Sequence, residues 1–164
     1  LPVDHQRYST SRYLSFLENF IKDIDEGRNF PLTAQQEYFS SYWPRLNTDK
    51  HGYIDWSWKL TDLEKFINAF DDPYKGAITF VNERKVRLKK CFSTMSDGSF
   101  HPFQKGIIYR IGKGFLFIAT EDGSLVVKEI KEDDGNDIMA TLKVGDRFYT
   151  SFHHLEEAKQ FRAI

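Results

Sequence analysis

The sequence predicts an α+β fold that is mainly β: a helix and linker, a second helix, a small barrel or strongly bent sheet, and a short terminal helix. Three observations predict it. Two segments in the first half carry apolar residues at helical spacing. From Ala77 onward the apolar period changes to two. The later runs are short, rich in β-branched and aromatic residues, and separated by Gly, Asp and Asn.

Residues 10–24 place Leu14, Leu17, Ile21 and Ile24 on one stripe, with Tyr13 and Phe20 beside it. Ser9 or Thr10 is the expected cap and Gly27 the expected stop. An amphipathic helix of this length is marginal in water alone, so its stripe needs a partner surface. Residues 28–52 lack sustained periodicity, carry Pro31 and Pro44, and read as a linker. Thr61 and Glu64 stand at capping-box spacing ahead of a helix whose Leu63, Phe66, Ile67 and Phe70 share a face. Asp72, Pro73 and Gly76 turn the chain out of it. Strands are expected in AITFV, KVRLKKCF, GIIYRI, FLFIAT and SLVVKEI, enough for a small barrel. Leu155, Ala158 and Phe161 predict the terminal helix.

Aromatic residues make up 16% of the 164 residues, which supplies a core and argues against disorder. A formal net charge of -1 leaves no broad field to attract nucleic acid or an anionic membrane. The single Cys91 excludes an internal disulfide framework and a cysteine-built zinc site, and it suits a reducing, cytoplasmic setting. No apolar run approaches the roughly 20 residues needed to span a bilayer. The chain begins with Leu1 rather than Met, and is expected to be a fragment.

The stretch NTDKHGYIDWSW tests as a calcium loop and fails. Asn47, Asp49, Gly52, Ile54 and Asp55 fit the twelve-residue pattern, but its last position, where a bidentate carboxylate belongs, is Trp58. His51 offers nitrogen where a hard cation wants oxygen, and Pro44 opposes an entering helix. A polar turn leading into a packed segment is the better reading. Cys91 is expected to share a strand face with Arg87 and Lys89, opposite Val86, Leu88 and Phe92, and has no identifiable catalytic partner. His153 and His154 are adjacent, so a helix cannot aim both at one ion. The acidic run at residues 132–135 reads as a solvated hairpin end. Arg84, Lys85, Arg87, Lys89 and Lys90 form a basic run that is either a solvated strand face or a contact for substrate phosphate. Residues 77–164 hold fourteen Lys or Arg against twelve Asp or Glu, a net of only +2.

In order along the chain stand Gln35 and Gln36; Tyr42 and Pro44; Ile54, Asp55 and Trp56; and Pro73, Tyr74, Gly76 and Ala77, followed by VGDRF. This succession resembles the linker and C-terminal domain of the N-formyltransferase family, which includes methionyl-tRNA formyltransferases and sugar N-formyltransferases acting on nucleotide-linked amino sugars. The resemblance implies an OB-like barrel over 53–164, a linker over 33–52, and a first helix, within 1–32, that ends a missing catalytic domain. It implies mainly structural roles for Ile54, Asp55, Trp56, Pro73, Tyr74, Gly76 and Ala77. The family's helix usually carries Arg-Ala before its turn, where this chain has Asn68 and Ala69. Family catalysis uses an N-terminal Rossmann-like domain with an Asn, a His-x-Ser-x-Leu-Pro motif and a later Asp, and none of the five histidines here fits. No catalytic residue, metal or cofactor is therefore expected in this chain, and 10-formyltetrahydrofolate belongs to the parent enzyme. A nucleotide-sugar acceptor is expected over tRNA because the barrel is weakly basic. The alternatives are a free-standing OB-like module for single-stranded nucleic acid, and a structural piece that self-associates as a homodimer.

Overall fold

A computed structural model describes residues 1–43 and 46–160. Pro44, expected to break an entering helix, and Phe161, expected on the terminal helix stripe, lie outside the described residues. The first helix, α1, runs over Pro2–Asp25 and starts well before the expected cap. Proline suits a first helical turn because its missing N–H would be unpaired there anyway. No breaker separates it from residue 10, and extending a helix costs little once it is nucleated. Ser9 and Thr10 are thus interior. Gly27, at φ +69, ends the helix as expected, with Gly27 N–H donating to the Ile24 carbonyl and Arg28 N–H to that of Asp23.

The region from 28 to 46 holds one described 3-10 turn, Glu37–Phe39. A four-residue helix, α2 at Thr48–His51, then leads to α3 at Leu60–Ala69. The strands are β1 (Ala77–Val81), β2 (Arg84–Thr94), β3 (Ile108–Gly112), β4 (Phe115–Thr120), β5 (Gly123–Glu132) and β6 (Phe148–Tyr149), and α4 covers Phe152–Gln160. They form one sheet in the order β3-β4-β5-β2-β1-β6, with every pairing antiparallel. The two ends of that order meet: Ile107 bridges Arg147, and Phe148 N–H donates 2.8 Å to the Gly106 carbonyl. The result is a curled half-barrel closed at one corner, and the fold is α+β, mainly β, as the periodicities predict.

The core lies between the concave side of the curl and α3. Leu60, Leu63 and Ile67 are fully buried against Val86, Leu88, Leu125, Val127 and Ile130. The expected capping box is not formed. Lys59 is the residue before the helix, and the Leu60 N–H is met by Asp122 Oδ1 at 2.9 Å, from the turn between β4 and β5. Glu64 instead reaches β2, accepting from the Ser93 N–H and hydroxyl.

Strand β2 departs from simple alternation. Lys90 adopts φ +54, and its N–H donates 2.6 Å to the Asp71 carboxylate instead of continuing the ladder. This left-handed residue turns the strand over by one position. Cys91 therefore joins Val86 and Leu88 in the core while Phe92 is 45% exposed, the reverse of the expected faces. Burial pushes the Cys91 thiol well above its ordinary value, with the charges of Asp71 and Glu64 adding to it, so the residue is an inert packing group.

Candidate functional site

The residues singled out in the sequence meet where the 47–52 turn, the α3–β1 turn and β2 come together. Asn47 begins the turn as a cap, its Oδ1 accepting from the Asp49 N–H at 2.9 Å. This is the polar turn expected in place of a calcium loop. Among the described residues no group of three or more His, Cys, Asp and Glu is placed to hold a metal ion.

Past the turn, Ile54 is fully buried and its N–H donates to the Ile78 carbonyl at 2.8 Å. Asp55 closes its own turn by accepting from the Ser57 N–H and hydroxyl. Trp56 stacks on Phe148 at 5.8 Å between ring centroids, and its Nε1–H donates to Thr79 Oγ1, whose hydroxyl donates to the Tyr149 carbonyl. Ile54 and Trp56 thus seat the incoming segment on β1 and β6. In the α3–β1 turn, Pro73 and Tyr74 stay exposed, whereas Gly76 and Ala77 are buried. Gly76 has φ +106, and a Cβ there would lie 2.8 Å from Lys89 Cγ and 2.9 Å from the Leu88 carbonyl oxygen. Only glycine allows so close an approach to β2.

Each member of the basic run meets a carboxylate of the same chain. Arg87, 3% exposed, donates from Nη2 to Asp49 at 2.7 Å and from Nε to Asp133 at 2.6 Å. Lys89 is also buried, held by the Asp72 carboxylate and by the Tyr74 carbonyl at 2.9 Å. Lys85 pairs with Asp133, Arg84 with Glu132 and Lys90 with Glu129. Burial opposes ionisation of Asp49 and Asp133, yet hydrogen bonds outweigh it and keep both below the usual carboxylate range: those of Lys75 and Arg87 at Asp49, of Arg87 and Lys85 at Asp133. Glu129 is likewise held at about 2 against burial, by hydrogen bonds from Lys131 and Lys90. A shallow cleft of ≈ 380 Å³ opens beside this cluster, lined by Leu46, Asp49, Phe70 and Tyr74 among others.

Two features were not legible in the sequence. The Asp71 carboxylate is fully buried and ties the end of α3 to Lys90, a pairing nineteen residues apart. On the convex side, register aligns Phe92, Val126, Phe117 and Arg110 across four strands. The Arg110 guanidinium stacks 3.9 Å from the Phe117 ring centroid and pairs with Asp97.

Residues 47–143 match the family described as formyl transferase, C-terminal domain, a span that holds the whole junction and all but the last strand of the barrel. The chain belongs to this formyltransferase C-terminal domain family. Methionyl-tRNA formyltransferase of Ruminiclostridium cellulolyticum is 29% identical over 102 residues, covering 62% of this chain and 31% of that protein. The corresponding enzyme of Desulfotalea psychrophila is 36% identical over 84 residues, covering 50% and 24%. The chain therefore spans 31% and 24% of the lengths of those relatives. HypX from Aquifex aeolicus shares the fold at a TM-score of 0.52 and 21% identity, over 77% of this chain and 21% of HypX. No helix among the described residues is long and apolar enough to cross a membrane.

Proposed function

We propose that this chain is the C-terminal region of a cytoplasmic, 10-formyltetrahydrofolate-dependent N-formyltransferase and that it positions substrate or assembles the enzyme rather than performing the chemistry. The family match over residues 47–143 carries the reading. In this division, 1–32 ends the catalytic portion, 33–52 is the linker and 53–164 is the barrel domain. The exposed stripe of α1, with no buried residue in its 24, supports a docking role for that helix. In the parent, the acceptor amine attacks the formyl carbon, the new C–N bond replaces the bond to folate, and the amine proton leaves to a base. Holding the acceptor in place lowers the entropic part of that barrier.

For the acceptor we favour a nucleotide-linked amino sugar over methionyl-tRNA. The barrel region nets +2, and the cations of the basic run are engaged by internal carboxylates, which weakens their pull on a polyanion. Of that run, Arg84 and Lys90 keep about half their side chains in solvent and are the members open to a diphosphate, while Arg87 and Lys89 are committed inside. The relatives are named for tRNA, so the test pits the two acceptors against each other. The full-length polypeptide is incubated with 10-formyltetrahydrofolate and either acceptor. Formylation of the nucleotide-linked sugar supports the proposal, formylation confined to methionyl-tRNA overturns the acceptor, and no transfer to either overturns the formyltransferase reading.

A second reading rests on the convex row of Phe92, Phe117 and Arg110, since rings beside a guanidinium can stack bases of single-stranded nucleic acid. Salt-dependent anisotropy of a labelled RNA oligomer would support it, and a flat titration at low salt would count against it.

A further inference from the structure

The buried Arg87 lies where three separate segments converge. Its Nη2 holds Asp49 in α2, its Nε holds Asp133 just beyond β5, and its Nη1 lies 3.4 Å from the carbonyl of Gly76 in the α3–β1 turn. Each carboxylate has a second cation behind it: Lys75 Nζ is 3.2 Å from Asp49, and Lys85 Nζ is 3.0 Å from Asp133. We infer that Arg87 is a two-sided latch that sets the angle at which the linker meets the barrel.

The argument rests on direction rather than strength. A buried ion pair is a poor device for stability, because an apolar replacement of similar size is often neutral or better. A guanidinium is instead a rigid planar fork whose donors accept partners only along fixed lines. Here one fork joins a strand of the barrel to two segments that bury no side chain of their own. Helix α2 has four residues and none is buried, and residues 133–136 are exposed. The backbone bonds that seat the lead-in segment, between Ile54 and Ile78 and between Ile78 and Gly52, lie beyond α2. They fix where the segment enters; beyond that point α2 rests on α4, with Lys50 Nζ 4.0 Å from Glu157, and Asp49 reaches across to Arg87. Of these holds, the Asp49 carboxylate is the one that ties α2 to β2, through Nη2 at 2.7 Å. Anything the linker carries then inherits an orientation from the barrel strand. The close approach at Gly76 belongs to the same device, since a Cβ there would lie 3.2 Å from Arg87 Cβ.

The latch is tested by hydrogen–deuterium exchange, read by mass spectrometry, on the 164-residue chain and its Asp49→Asn, Asp133→Asn, Arg87→Met and Arg87→Lys variants. Asp49→Asn is expected to raise exchange about tenfold in residues 48–52 and not in 133–136, Asp133→Asn to do the reverse, and Arg87→Met to free both. Lysine at 87 carries a single point charge and is expected to restore protection to one segment only. The inference is overturned if Asp49→Asn leaves 48–52 as protected as in the parent, or if exchange rises throughout the β2–β5 ladder. Both Asn variants alter half-exposed carboxylates, so they decide the matter even if the Arg87 variants do not fold.

Discussion

Gly76 and Lys90 both stand at positive φ on opposite sides of one packing contact, yet for different reasons. Gly76 is there because no Cβ fits between it and β2. Lys90 tolerates the strain because Asp71 takes its N–H and Glu129 its ammonium, which reverses the faces of the strand. A side chain at 76 would combine backbone strain with a clash against backbone oxygen. Gly76→Ala is therefore expected to cost at least about 2 kcal/mol in urea unfolding. A loss below about 0.5 kcal/mol would show that the α3–β1 turn can move away from β2.

Among the elements, α1 and α3 are opposites. Helix α3 is amphipathic and spends its apolar face on the core, and a residue 62 positions away caps its start. Helix α1 exposes Tyr13, Leu14, Phe16, Ile21 and Ile24, and its backbone touches the barrel region through Val3 N–H and the Asp72 carbonyl at 3.0 Å. Its burial contribution to the barrel is accordingly small. Removing residues 1–32 is expected to change unfolding free energy by less than about 1 kcal/mol while lowering the tendency to aggregate, because the exposed apolar stripe goes with it. Loss of cooperative unfolding in the shortened chain would mean that α1 is part of the barrel's folding unit.

For the molecule as a whole, charge sets the pH window. Glu129 titrates at about 2 in the folded chain against an ordinary 4.5, and Asp49 and Asp133 are lowered in the same direction. A depressed carboxylate stabilises the fold above its unfolded value, and that contribution fades as pH falls through the folded one. Hydrogen bonds and charge attraction from Glu129 raise Lys90 and Lys131 above 10.5, so their contribution is complete at neutral pH and is lost as pH climbs through the raised values. The melting temperature is expected to be flat around neutrality, to fall from pH 4.5 toward 2, and to lose part of this acid-side slope in Glu129→Gln, the remainder belonging to Asp49 and Asp133. An unchanged acid limb in that variant would assign the acid sensitivity to other carboxylates.

What the chain alone settled is whatever depends on neighbours in sequence. The periods of 3.6 and two placed the helices and most strands, Gly27 and Gly76 marked turns, and Trp58 at the last position argued for a polar turn over a calcium loop. The family-like order from Gln35 to Ala77 points to the formyltransferase C-terminal domain. Folding alone brought Asp122 to the start of α3, Asp71 to Lys90, and both Asp49 and Asp133 to Arg87, across 19 to 62 residues. Those partners are invisible to periodicity because a carboxylate has no preferred sequence distance to the N–H or cation that donates to it. Only the tertiary fold, which gathers α2, the α3–β1 turn and the end of β5 around β2, decides which of these groups meet.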